Sequence, residues 1–253
     1  LLVIGAALLW SLDGLLRRSL FVLPPDVIVF YEHLLGAVLL APVLITGWQQ
    51  LRALKWPGWS ALSLVTVFSG LLGTLFYTDA LGKVQFIQFS VVVMLQQLQP
   101  IWAILTAAVI LRERMPRRFF LWAIPAFMAS YFVSFPNLQA NLTTGDATTL
   151  AALLALGAGI MWGVSTSFSK VVLARIPSLL ATSLRFTLTS GLALGAVFAL
   201  GHGGSLTGLE TSQWSTLVAI TFSTGLVALA LYYWGLRSVH ASAASILELS
   251  WPL

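Results

Sequence analysis

An all-α polytopic membrane fold, built as two inverted five-helix repeats, is predicted by three observations: the composition, the rhythm of the apolar segments, and one internal offset that recurs. The 253 residues are 58% hydrophobic and only 8% charged, far from the roughly half-apolar, quarter-charged balance of a soluble domain. About 20 apolar residues span a hydrocarbon core of about 30 Å as a helix. Such stretches follow one another at 1–20, 26–46, 58–80, 86–110, 119–135, 148–172, 178–200, 214–236 and from 241 onward. Barrel strands of about ten residues alternate in polarity, whereas 91–95 and 101–111 are apolar on every side. The spans are therefore read as helices, which satisfy their backbone groups internally.

The offset is 152 residues. It lays Trp10-Ser11 on Trp162-Gly163, Arg18 on Lys170, Pro25 on Pro177, His33 on Arg185, Gln96 on Glu248 and Pro100 on Pro252. In the third and fourth helices it becomes 155, matching Tyr77 to Tyr232 and Val84 to Val239. Apolar composition aligns leucines at any offset, but it does not align a tryptophan, a proline and the basic positions. The repeats are placed at 1–135 and 148–253. An odd number of spans per repeat makes the two copies enter the membrane in opposite senses, the inverted pattern of many secondary transporters. Leu1 and Leu253 read as trimmed ends, so about nine of ten transmembrane helices are expected here, with the C-terminus truncated in the ninth.

Loop charge sets the predicted orientation. Arg52, Lys55, Arg112, Arg114, Arg117, Arg118, Lys170, Arg175 and Arg237 fall on one side; Arg17, Arg18 and Lys83 fall on the other. The richer side is expected to be cytoplasmic, which puts the N-terminus inside and the 137–146 and 201–212 loops outside. The first helix lacks the basic start and small-residue cleavage site of a signal peptide. With no cysteine, disulfides, thiolate catalysis and cysteine metal sites are excluded. The net charge of +5 reports topology, and nucleic acid is not an expected partner. Asn141-Leu142-Thr143 formally matches a glycosylation acceptor and is given no role.

Several residues resemble those of a known family: Trp10-Ser11 and Trp162-Gly163 in the first helix of each repeat, Pro177 followed by Arg185 in the second, and Gln96 to Pro100 and Glu248 to Pro252 in the fourth. Together with the glutamate of Leu111-Arg112-Glu113-Arg114, they resemble the drug/metabolite transporter superfamily of EamA type. The resemblance covers the whole chain and implies ten helices in two inverted repeats that export or exchange amino acids, other metabolites or drugs. Glu32-His33 stands where such proteins more often carry arginine.

Charged groups at mid-bilayer cost about 2.5–3.5 kcal/mol on insertion scales and are functional candidates by default. They are Asp13, Glu32, His33, Arg185 and Glu248, with Asp79 nearer a helix end. Asp13 and Glu32 each lie about 10 Å inside from the outer ends of their helices, and Asp13 can meet Arg17 four residues on. Two readings stand together. In one, Asp13, Arg17, Glu32 and His33 neutralise one another and hold two helices together. In the other they wall an outer vestibule in which Glu32 or His33 changes protonation. Arg185 and Glu248 share a depth near the cytoplasmic ends and are expected to form a buried pair.

Gln96, Gln97 and Gln99 precede Pro100, which removes a backbone bond and frees the carbonyl of Gln96. Gln96 and Gln99 share a helix face, suited to a polar solute or to interhelical hydrogen bonds. Trp10, Trp162, Tyr77, Tyr232, Tyr233 and Trp102 are candidates for stacking on an aromatic or cationic solute, or for packing and interface anchoring. Gly191 and Gly195 are spaced GxxxG, which reads as close helix packing.

The expected function is a secondary transporter moving a small polar metabolite, such as an amino acid, across the cytoplasmic membrane by alternating access, with export preferred on the resemblance. The alternatives are a multidrug or cationic-compound exporter, a structural membrane protein and an intramembrane enzyme. His33, His202 and His240 are scattered and no triad, phosphate loop or metal set is present, so neither enzyme chemistry, cofactor nor metal is expected. The expected partners are a small-molecule substrate, the lipid bilayer and protons as a candidate coupling ion, with the chain a monomer or homodimer.

Overall fold

The computed structural model describes residues 1–83, 89–134 and 146–251. Among them every regular element is helical, and helices cover each of the nine expected segments. The first crossing is α1 (Leu2–Trp10) and α2 (Asp13–Arg17), parted by a turn at Ser11–Leu12; the second is α3 (Pro25–Gly47). The third joins α4 (Lys55–Val65) to α5 (Thr74–Gly82) through a π-helical stretch, Thr66–Gly73. The fourth breaks between α6 (Phe89–Gln96) and α7 (Gln99–Ile110), and α8 (Arg117–Ser134) is the fifth.

In the second half, α9 (Asp146–Leu173) and α10 (Ser178–Ala199) are unbroken. α11 (Thr211–Ile220) runs through a second π-helical stretch, Thr221–Val227, into α12 (Ala228–Ser238). α13 (Ala241–Leu247) then tightens to a 3-10 turn at Glu248–Ser250. Val84, Pro252, the loop at 137–145 and its Asn141-Leu142-Thr143 motif lie outside the described residues.

Among the described residues, five stretches are long and apolar enough to cross a membrane: Pro25–Gly82, Val91–Ile110, Thr149–Leu173, Ser178–Ala199 and Thr211–Ser238. The distribution of side chains is that of a protein in lipid. Val38, Ile45, Val109, Trp122, Leu153, Phe198 and Trp234 face outward, while Asp13, Arg17, Glu32, His33, Gln96 and Gln99 are buried. Polar groups gather inside because hydrocarbon offers them no hydrogen bond.

Prolines and capping groups set the breaks. Pro24 and Pro177 take extended backbone just before α3 and α10, and Pro25 fills the first helical position of α3, where its missing N–H costs no helical hydrogen bond. Pro100 lies in the first turn of α7, and the chain turns at Gln97–Leu98 just before it. The predicted kink is thus a break. At the other end of α7, Arg112 adopts φ 53°, and the left-handed residue turns the chain so that Glu113 reaches the start of α13. Glu113 accepts from the N–H groups of Ala241 and Ser242 at 2.8 and 3.1 Å and from the Ser242 hydroxyl at 2.7 Å. Burial pushes this carboxyl up, but the hydrogen bonds outweigh it and hold it below its ordinary value. Nearby, the Lys170 ammonium donates to the carbonyls of Leu236 and Val239, satisfying the C-terminal end of α12.

The helices pair across the halves. α3 packs along α10, α1 along α12, and α9 along the whole α4–π–α5 crossing as well as α7. The closest approach to main chain is made by two glycines of α9. A Cβ on Gly159 would lie 2.6 Å from the Gln96 carbonyl oxygen, and one on Gly163 would lie 2.4 Å from that of Gln99. This GxxxG pair seats α9 against the broken fourth crossing. The pair named from sequence does otherwise: Gly191 and Gly195 are exposed, and no atom lies within 4 Å of a Cβ at either.

Candidate functional site

A cavity of about 1030 Å³, part of it open to solvent, lies between the halves. Trp10, Asp13, Glu32, His33, Tyr77, Gln96, Gln99, Trp162, Arg185, Tyr232 and Glu248 all line it.

Its most closely bonded part is a charge cluster. The Arg17 Nε donates to Asp13 Oδ2 at 2.5 Å, and Nη2 donates to Asp13 Oδ1 at 3.2 Å and to Glu32 Oε2 at 2.7 Å. Nη1 donates to the Thr78 hydroxyl at 3.2 Å, and Thr224 donates to Asp13 Oδ1 at 2.6 Å. Arg17 is 2% exposed, which corrects its placement in an outer loop. Loop counting sees only that a basic residue ends a helix. The four-residue spacing from Asp13 was the signal for its inward position.

His33 is not part of this cluster. Its Nδ1 faces the Val29 carbonyl at 2.8 Å, and its ring lies 5.1 Å from that of Phe186. The expected Arg185–Glu248 pair is also absent, because equal depth leaves open the direction in which each side chain points. Arg185 instead donates to the Tyr233 hydroxyl at 3.3 Å and to the Ser69 carbonyl at 3.2 Å. Among the described residues no carboxylate lies within ion-pair distance of it. Glu248 Oε2 accepts from Gln99 Nε2 at 2.6 Å, and Gln99 Oε1 accepts from Gln96 Nε2 at 3.0 Å. The shared face of Gln96 and Gln99 is thereby realised as a chain of amides ending on a carboxylate.

The tryptophans are held in matching ways. Trp10 Nε1 donates to the Thr224 carbonyl at 2.9 Å, and Trp162 Nε1 donates to the Ser69 carbonyl at 3.2 Å. Both acceptors lie in the π-helical stretches, which begin 155 residues apart. Trp10 meets the Tyr232 ring and Trp162 meets the Tyr77 ring, each at 5.3 Å and 56°. Sequence reading did not single out Ser69, Thr224 and Trp251, which also line the cavity. Ser69 and Thr224 correspond at the offset of 155 already seen for the tyrosines, and Trp251 lies inside the Glu248 to Pro252 stretch.

A helical membrane bundle with charged and amide groups around a central cavity has the construction of a solute carrier. The chain belongs to the EamA-like transporter family, whose model matches residues 1–135 and 149–253. It is 34% identical over 258 residues to the riboflavin transporter ImpX of Fusobacterium nucleatum, covering 100% of this chain and 85% of that one. It is 26% identical to the uncharacterized inner membrane transporter YhbE of Escherichia coli, over 100% of this chain and 82% of that one. A protein of known crystal structure shares the fold with TM-score 0.76 at 17% identity, over 99% of this chain and 83% of that one.

Proposed function

We propose that this protein is a secondary carrier moving a small polar metabolite across the inner membrane by alternating access of two inverted repeats, 1–135 and 148–253, with a cytoplasmic N-terminus. The observation that carries the reading is the cavity to which both halves contribute, with Arg185 and Glu248 as charged groups that do not pair with each other. Two charges in a low-dielectric interior are costly unless something compensates them, and a polar solute with hydrogen-bonding groups does so when bound. The matched Trp10–Thr224 and Trp162–Ser69 bonds support the inverted relation, since each half offers the other the same contact.

Riboflavin is the first solute to test, on the strength of the 34% identical relative, followed by amino acids. Export is the favoured direction, and protons are the candidate coupling ion through Glu248. The test is uptake and counterflow of labelled riboflavin and a panel of amino acids in proteoliposomes, with and without a pH gradient. Saturable flux of one solute is the expected result. No flux for any member of a broad panel sinks the carrier reading.

A further inference from the structure

We infer that the part of the solute this cavity recognises is a flat, uncharged heteroaromatic ring system with donors and acceptors on its edge, held at the indole–phenol pairs Trp10–Tyr232 and Trp162–Tyr77. The inference rests on the carrier reading above and specifies what that carrier reads. Its first ground is the rigidity of the aromatic surfaces. Each indole is tied by its N–H to a main-chain carbonyl and braced by a tyrosine ring at the same distance and tilt. Rings fixed before binding present large contact area with little ordering cost.

The second ground is the set of polar atoms beside those rings. Among the described residues, Gln96 Oε1 is a buried acceptor without a partner, while the Tyr77 hydroxyl and Trp251 Nε1 are buried donors without one. Gln96 is 5% exposed and Tyr77 2%. Trp251 also meets the Tyr77 ring at 5.8 Å, so aromatic face and free donors occur together. A hydrocarbon ring would leave these atoms unsatisfied, and an open-chain polyol would leave the aromatic faces unused. An organic cation would meet Arg185, with which no carboxylate pairs among the described residues, and an organic anion would meet the buried, unpartnered Oε1 of Glu248. An uncharged ring with alternating edge donors and acceptors satisfies all three constraints.

The experiment separates ring from chain. In proteoliposomes of the full chain, riboflavin counterflow is competed by lumichrome, which keeps the ring and lacks the ribityl chain, by ribitol, which is the chain alone, and by phenylalanine. Lumichrome is expected to compete within about 10-fold of riboflavin, and ribitol and phenylalanine not at all. Lumichrome binding to the detergent-purified protein, read by flavin fluorescence, is measured in parallel. Trp162→Ala and Trp10→Ala are each expected to weaken it more than 10-fold. Trp162→Phe keeps a ring and should retain more affinity than the alanine variant, with thermal unfolding confirming that each variant is folded. Competition by ribitol without lumichrome, or lumichrome binding unchanged in the folded alanine variants, overturns the inference. Flux of a non-aromatic solute that ring analogues fail to displace overturns it too, while leaving the carrier reading standing. If no solute crosses at all, the carrier reading falls, and the binding measurement still decides whether the cavity reads a ring.

Discussion

Trp10 and Thr224, 214 residues apart in the chain, are joined by a 2.9 Å hydrogen bond from indole N–H to main-chain carbonyl. The same bond recurs between Trp162 and Ser69. Each bond ties one half of the molecule to a π-helical stretch in the other, and π turns interrupt helices frequently at functional sites. Replacing either tryptophan by phenylalanine shrinks the ring and removes one hydrogen bond, a loss of about 0.5–1.5 kcal/mol for the bond with a further cost for the smaller ring. Trp10→Phe and Trp162→Phe should therefore lower the melting temperature of the detergent-solubilised protein by similar amounts. A strongly unequal effect would count against the equivalence of the two contacts.

Arg17 compensates two buried carboxylates, Asp13 and Glu32. Arg17→Met leaves both without their cation and should destabilise the protein by about 3–5 kcal/mol, the usual cost of breaking a buried pair. Adding Glu32→Gln should recover part of that loss. Thermal unfolding of the single and double variants measures it.

The two GxxxG pairs make opposite predictions. Gly159→Ala and Gly163→Ala drive a methyl into the backbone carbonyls of Gln96 and Gln99 and should each cost about 1–3 kcal/mol through overpacking. Gly191→Ala and Gly195→Ala meet open space and should be neutral or slightly stabilising, as alanine is the better helix former. Melting temperatures of the four variants side by side decide the matter.

Glu113 links the end of α7 to the start of α13 and carries a carboxyl held below its ordinary value of 4.5. Its stabilising contribution is fully present above that ordinary value and is lost as the pH falls through the lower folded one. Glu113→Gln should cost about 1–2 kcal/mol at pH 7, and the difference from the unmodified protein should shrink below about pH 4.5. Melting curves between pH 3 and 7 provide the measurement.

Glu248→Gln keeps a hydrogen-bond acceptor for Gln99 while removing the charge, so the protein should fold with little change in stability. Flux should fall about 10-fold or more and lose its dependence on a pH gradient, as expected of a coupling acid. Normal transport with unchanged pH dependence would exclude that role.

The helical segments were legible because apolar runs of membrane length carry a strong signal, and the paired landmarks Trp10 with Trp162 and Gln96 with Glu248 led to the residues lining the cavity. What sequence position could not supply was direction around the helix axis. Depth matching brought Arg185 and Glu248 to one level, yet Arg185 turns toward Ser69 and Tyr233 and Glu248 toward Gln99. The same limit sent attention to Gly191 and Gly195, while Gly159 and Gly163 make the close contact. The break at Ser11 was hidden for a different reason. Its counterpart at Gly163 continues a helix pressed against α7, so similar sequences take different local courses in different surroundings.

The twin indole–phenol pairs bear on the kinetics of the carrier. On the proposed plan of two inverted repeats, a solute entering from either face would encounter the same aromatic contact, so these rings by themselves give no preference between inward and outward movement. Any difference in half-saturation between the two faces would then originate where the halves are unlike: at His33 against Arg185, at Gln96 against Glu248, and at the Asp13–Arg17–Glu32 cluster, whose counterparts are Ser165, Ser169 and Leu184. Those positions, more than the tryptophans, are where a carrier of this plan would hold its solute differently on its two sides.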